Sequence, residues 1–219
     1  MNKKSKSALF TGVVFLVLFI AFTAAVKSYD VKPIGPLNSK VGFAGINGKV
    51  FDTIGQSDFW YDFSEKLGYM ALLVCVCFAI AGVVQLIKGK GFKGVDRKII
   101  ALGVFYIVVI SLYVAFDKIA INYRTVLEAD GTLEASYPSS HSMLAVCVFV
   151  TMLMQDAFNR KKTTGEKAGN VIAGTLLVGL MLVSRLLAGV HWFTDIVGSV
   201  LISVALISFY KAVIARWEE

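Results

Sequence analysis

Two histidines occur in the 219 residues of this chain, His141 and His191, and each stands among residues able to handle an anion. His191 lies in the run Ser184-Arg185-Leu-Leu-Ala-Gly189-Val-His191-Trp-Phe-Thr-Asp195. On a helix, Asp195 shares a face with the histidine four residues before it. A carboxylate in that place holds the imidazole tautomer and stabilises the cation that forms when the ring reacts. It also raises the imidazole pKa, whereas a cationic surrounding lowers it, and the sequence does not rank the two. Arg185 brings a planar fork of donors that suits phosphate oxygens. His141 closes Tyr137-Pro138-Ser139-Ser140-His141 just ahead of an apolar run. Ser139 can cap the helix that follows, and the first N–H groups of such a helix form an anion site. Lys118 and Arg124 lie further upstream. One histidine of this kind could be a hydrogen-bonded packing residue. Two of them, with arginine and aspartate at these spacings, point to a functional site that binds an anion such as phosphate.

The elements that must position these residues are membrane spans. Hydrophobic residues make up 57% of the chain and charged ones 17%, against about 25% in soluble domains. About 20 apolar residues cross the hydrocarbon as a helix. Six stretches qualify, at 8–26, 67–87, 99–116, 142–158, 171–190 and 194–213. The fourth is the shortest, with Gln155 and Asp156 near its end. The expectation is an all-α protein with six transmembrane helices, forming one membrane domain over residues 1–219. The first stretch follows Lys3, Lys4 and Lys6, as a signal peptide would, but its 19 apolar residues exceed the usual 7–15-residue core and no good cleavage site follows.

Charge sets the expected orientation. With the N-terminus inside, 14 of the 22 basic residues fall on inner segments, including Lys88, Lys90, Lys93, Arg97, Lys98, Arg160, Lys161 and Lys162. The positive-inside bias therefore favours both termini in the cytoplasm of a cell whose plasma membrane holds the chain. That orientation brings Lys118, Arg124, Ser139, His141, Arg185, His191 and Asp195 to one face, the outer one. Chance placement would scatter them. The net charge of +7 does not indicate nucleic acid, because its clusters are short and flank spans. Cys75, Cys77 and Cys147 all fall within spans and read as small apolar residues, neither disulfide nor metal set. The long connection at 27–66 carries Phe59, Trp60, Tyr61 and Phe63 and reads as an interfacial segment, with Ser57 or Asp58 capping a helix into the second span. It serves either as a simple interfacial anchor or in a lid or lipid-entry role.

The three polar segments resemble the signature of the type 2 phosphatidic acid phosphatase superfamily, which also includes vanadium haloperoxidases and bacterial acid phosphatases. That signature reads Lys-x6-Arg-Pro, then Pro-Ser-Gly-His, then Ser-Arg-x5-His-x3-Asp. The third segment matches in full, as Ser184, Arg185, His191 and Asp195; the second has Ser140 in place of glycine. In the first, five residues separate Lys118 from Arg124, and Thr125 replaces proline.

The resemblance implies the superfamily's helical bundle and a phosphatase acting on lipid phosphates. By that likeness His191 attacks phosphorus, Asp195 orients it, and His141 protonates the leaving oxygen and then activates water. Lys118, Arg124, Ser139, Ser140 and Arg185 hold the phosphate oxygens. The resemblance implies no cofactor and no metal. Phosphatidic acid, phosphatidylglycerol phosphate and polyprenyl diphosphate all present a suitable terminal phosphate. A transferase of the same fold, or a lipid-binding or transport protein that has lost turnover, are the alternatives.

Overall fold

The structure, a computed structural model, describes residues 1–128, 130–155 and 164–217. Among them are seven α-helices: α1 (Lys3–Ser28), α2 (Ala44–Ile54), α3 (Asp58–Lys88), α4 (Arg97–Lys118), α5 (Ser140–Met154), α6 (Thr164–Leu187) and α7 (Phe193–Ile214). Polar caps start two of the long ones. Asn2 accepts from Ser5 N at 2.8 Å ahead of α1, and Asp96 accepts from Lys98 N at 2.8 Å ahead of α4. Each takes up a backbone donor that has no partner within the helix.

Five of these helices, α1, α3, α4, α6 and α7, are long and apolar enough to cross a membrane. Their outward faces are bare hydrocarbon, as in the exposed stripe Leu73, Val76, Ile80, Val83 and Ile87 of α3. Water would penalise such a surface, whereas lipid does not. The sixth expected span is α5, whose 15 residues are shorter than the other five. It can be short because α3, α4, α6 and α7 all pack around it, leaving little of it to face lipid. The continuation of that span past Gln155, and Arg160, Lys161 and Lys162, lie outside the described residues. The second span begins at Asp58, well before residue 67, so the aromatic cluster from Phe59 to Phe63 belongs to α3 itself. Ser57 is the residue before that helix, yet its side chain makes no capping bond.

α1 and α7 pack along much of their length, running antiparallel. Ser5 Oγ donates to Ala212 O at 2.7 Å, and Asn2 Nδ2 donates to Ala215 O at 2.6 Å. This fixes one end of the bundle. At the other end α1, α4 and α6 finish while α3, α5 and α7 begin. The half near α1's start has an apolar core of Leu102, Phe105, Tyr106, Phe149 and Tyr210, in which the rings of Phe105 and Tyr210 lie 5.1 Å apart. All the polar motifs gather at the other end.

Candidate active site

The turn between α6 and α7 holds His191. Gly189 ends α6 at φ +69°, and a Cβ there would collide with Gly55 O. Both the backbone conformation and the close approach require glycine. Thr125 Oγ1 donates to Gly189 O, which pins this turn to the connection after α4. α7 then starts on a reciprocal pair: Trp192 N donates to Asp195 Oδ2 at 2.9 Å, and Asp195 N donates to Trp192 O at 3.0 Å. The bond from Trp192 fixes the Asp195 carboxylate, whose Oδ2 lies 3.6 Å from His191 Nδ1. Asn122 Nδ2 also reaches Asp195 Oδ1, at 3.4 Å. The other imidazole nitrogen, His191 Nε2, accepts from Arg185 Nη2 at 3.0 Å. Nε2 is therefore the nitrogen with its lone pair presented to a cation.

The segment that opens α5 is tied to the same turn, since Ser139 N donates to Asp195 O at 3.1 Å. Ser139 precedes α5 as expected, but its side chain does not cap the helix. Its Oγ donates to Ser142 Oγ at 3.0 Å instead. Ser140 Oγ donates to Asp117 Oδ1 at 3.1 Å, linking α5 to the end of α4. His141 stands over α3, where a Cβ on Gly68 would lie 3.2 Å from its ring, and edge-on to Tyr113 with ring centroids 5.5 Å apart.

Arg124 reaches this end and is held by two carboxylates, Glu128 at 2.5 Å and Glu134 at 3.0 Å. Lys118 is different. It is the exposed last residue of α4, and among the described residues its side chain makes no hydrogen bond or ion pair. Its neighbour Asp117 is the one whose side chain meets the second motif.

A stripe of α3 completes the cluster, and the motifs gave no sign of it. Tyr61, Ser64, Glu65 and Gly68 follow the spacing of one helical face. Arg185, with no exposed surface, donates through Nη1 to Glu65 Oε1 at 2.8 Å and to Ser64 Oγ at 3.2 Å, and its guanidinium carbon lies 5.7 Å from the Tyr61 ring centroid. Glu65 Oε2 lies 3.5 Å from His141 Nε2. Buried charge is tolerated only when paired this closely, and removing one partner typically costs about 3–5 kcal/mol. A carboxylate at membrane depth is a signal in itself. It was hidden because hydropathy alone starts the span at residue 67, which leaves Glu65 in the connection.

Burial, then the charges of Arg185, Arg124 and His141, push the His191 imidazole well below its ordinary pKa. Desolvation and the neighbouring cations thus prevail, and the ring is neutral around neutral pH.

α2 covers the His191 turn: Asn47 Nδ2 donates to Thr194 Oγ1 at 2.9 Å, Thr194 N donates to Asn47 Oδ1 at 3.1 Å, and the Phe51 and Trp192 rings lie 5.7 Å apart. The 27–66 connection is therefore built against the site. The side chain of His191 is 3% exposed, whereas those of His141 and Glu65 are 19% and 22% exposed. The more exposed members of the cluster, His141 and Glu65, are thus those on α5 and α3.

Comparison with known proteins decides the family. The PAP2 superfamily profile matches residues 5–219, nearly the whole chain. The chain belongs to the PAP2 superfamily. No curated protein sequence matches it. Among solved structures, the fold is similar to the crystal structure of the first transmembrane PAP2 type phosphatidylglycerolphosphate phosphatase from Bacillus subtilis. The TM-score is 0.65 at 16% identity, over 95% of this chain and 97% of that one. With five span-length helices among its described residues, this member of the superfamily is a multi-pass membrane protein. Seven residues before Arg124, where the PAP2 pattern carries lysine, it has Asp117.

Proposed function

We propose that this chain is a membrane lipid phosphatase that hydrolyses a terminal phosphate through a phosphohistidine on His191. The observation that carries the reading is the geometry of His191. Nε2 faces the guanidinium of Arg185 at 3.0 Å, and Asp195 stands 3.6 Å behind Nδ1. A phosphoryl group bound by Arg185 comes within reach of the nitrogen that attacks it. In the first step Nε2 bonds to phosphorus, the bond from phosphorus to the lipid oxygen breaks, and His141 gives its proton to that oxygen. In the second step His141 takes a proton from water, whose oxygen bonds to phosphorus as the N–P bond breaks and inorganic phosphate leaves.

Stabilising the equatorial oxygens falls to Arg185, Arg124, Ser139 and the Ser140 N–H, so the reading calls for no metal ion. Among the described residues no group of three His, Cys, Asp or Glu is arranged to hold one. Lys118, at the exposed end of α4, acts on an arriving anion only through its field. The substrate is phosphatidic acid, phosphatidylglycerol phosphate or a polyprenyl diphosphate, and the fold shared with a phosphatidylglycerolphosphate phosphatase favours testing the second first. By the positive-inside bias the site faces outward from the plasma membrane, with both ends of the domain cytoplasmic.

The purified protein in nanodiscs should release phosphate from at least one of these lipids in the presence of EDTA. His191→Ala should lower that rate by roughly 10⁴-fold or more, as expected when the nucleophile of a coupled unit is lost. Equal rates for the two proteins would end the proposal.

A further inference from the structure

Glu65 lies outside all three PAP2 motifs and contacts two of their functional residues. One carboxylate oxygen accepts from Arg185 at 2.8 Å, and the other lies 3.5 Å from His141 Nε2. Arg185 uses its opposite amino group on His191 Nε2. The lone pair that accepts this bond is the one that must attack phosphorus. Before attack, therefore, the guanidinium has to leave Nε2 and turn its donors to phosphate oxygens. Those oxygens compete with the Glu65 carboxylate for the same fork.

Resting on the reading above, we propose that Glu65 is a positioning residue that holds Arg185 back from phosphate and, once phosphate has drawn Arg185 away, fixes His141 for proton delivery. The helix is shaped for this. Ser64 adds a second acceptor for Arg185, Tyr61 lies beside the guanidinium, and Gly68 leaves room for the His141 ring. Because a single side chain serves both residues, phosphate binding and readiness of the acid become one event. The carboxylate weakens ground-state binding of the anion and strengthens the step in which the lipid oxygen departs. Binding that is reserved for the transition state in this way raises kcat.

The test uses the full-length protein in nanodiscs, comparing wild type with Glu65→Gln and Glu65→Asp. Glutamine keeps an oxygen for Arg185, and gel filtration checks that the variant stays folded. Glu65→Gln should bind orthovanadate more tightly while turning over phosphatidic acid about 10–100-fold more slowly, the usual cost of losing an orienting partner. Nitrophenolate leaves without a proton, so its first-turnover release from an aryl phosphate should fall far less. Glu65→Asp, which keeps the charge, should recover part of the loss on phosphatidic acid. A merely structural role for Glu65 predicts weaker vanadate binding and equal losses on both esters, and either result overturns the proposal. Should wild type release phosphate from no lipid, the proposed activity fails by itself. Vanadate binding, read as a rise in thermal midpoint, then decides on Glu65: no tighter binding in Glu65→Gln overturns its role.

Discussion

The two ends of the bundle are built on different terms. Near the start of α1 and the end of α7 the interior is rings and aliphatic chains, with a few hydroxyl and amide contacts such as Tyr106 to Thr151 at 3.2 Å. At the other end Arg185, His191 and Asp195 are all buried, and Glu65 and His141 stand beside them. The difference is that an apolar contact tolerates small displacement, while a buried charge tolerates only a partner at hydrogen-bond distance. The charged end is thereby fixed in geometry, and the apolar end mainly holds it together.

The largest expected effect comes from altering the charged end without removing its charge. Arg185→Lys keeps a cation but loses the fork that reaches Glu65 and His191 together. Phosphate release should fall by about 10²–10³-fold, as for loss of a donor to the developing charge. A variant within a few-fold of wild type would show that charge alone suffices. Phe149→Ala makes the opposite cut. This side chain is fully buried in α5, and its removal should cost about 3 kcal/mol of stability, read as a lower thermal midpoint in detergent. The folded fraction should keep its turnover number. If turnover collapses with an unchanged midpoint, the division between the two ends is wrong.

The smallest effect is on pH. His191 has its pKa lowered in the folded state, so the unfolded chain binds the extra proton first as pH falls. Its contribution to stability is complete above the ordinary histidine pKa of about 6.5 and is lost as pH drops below that value toward the folded one. The acidic limb of kcat/KM should accordingly lie below about 6.5. The thermal midpoint of wild type should fall more between neutral and mildly acidic pH than that of His191→Gln. Parallel slopes for the two proteins would mean that His191 is not held neutral by its surroundings.

Much of this was legible in the residues. Runs of apolar side chains are the signature of a lipid-facing helix, and all six expected spans begin or lie within helices. His191 and Asp195 could be paired because four residues is one helical turn. The ends of helices were less legible, for the reason Ser139 illustrates. Several acceptors can satisfy the same donors, and Ser139 Oγ takes Ser142 in preference to the backbone. Lys118 and Asp117 show a second limit. A step of one residue turns a helical side chain by about 100°, so shortening the spacing to Arg124 by one residue decides which of the two meets Ser140. Glu65 shows a third, because its partners lie 120 and 76 positions away, at Arg185 and His141.

The pairing of α1 with α7 has a consequence for how the chain is made. Asp195, 3.6 Å from the His191 ring, sits in the first turn of α7, and α7 finds its longest partner in α1, which is synthesised well before it. Nearly the whole domain must therefore be synthesised and inserted before Asp195 can take its place, while the exposed serine and glycine face of α1 waits in the lipid or against the insertion machinery. A nascent chain arrested after α6 should leave Ser5 and Gly12 open to cysteine labelling, and release of the full chain should close them. Labelling that is already blocked at α6 would show that another helix shelters α1 first.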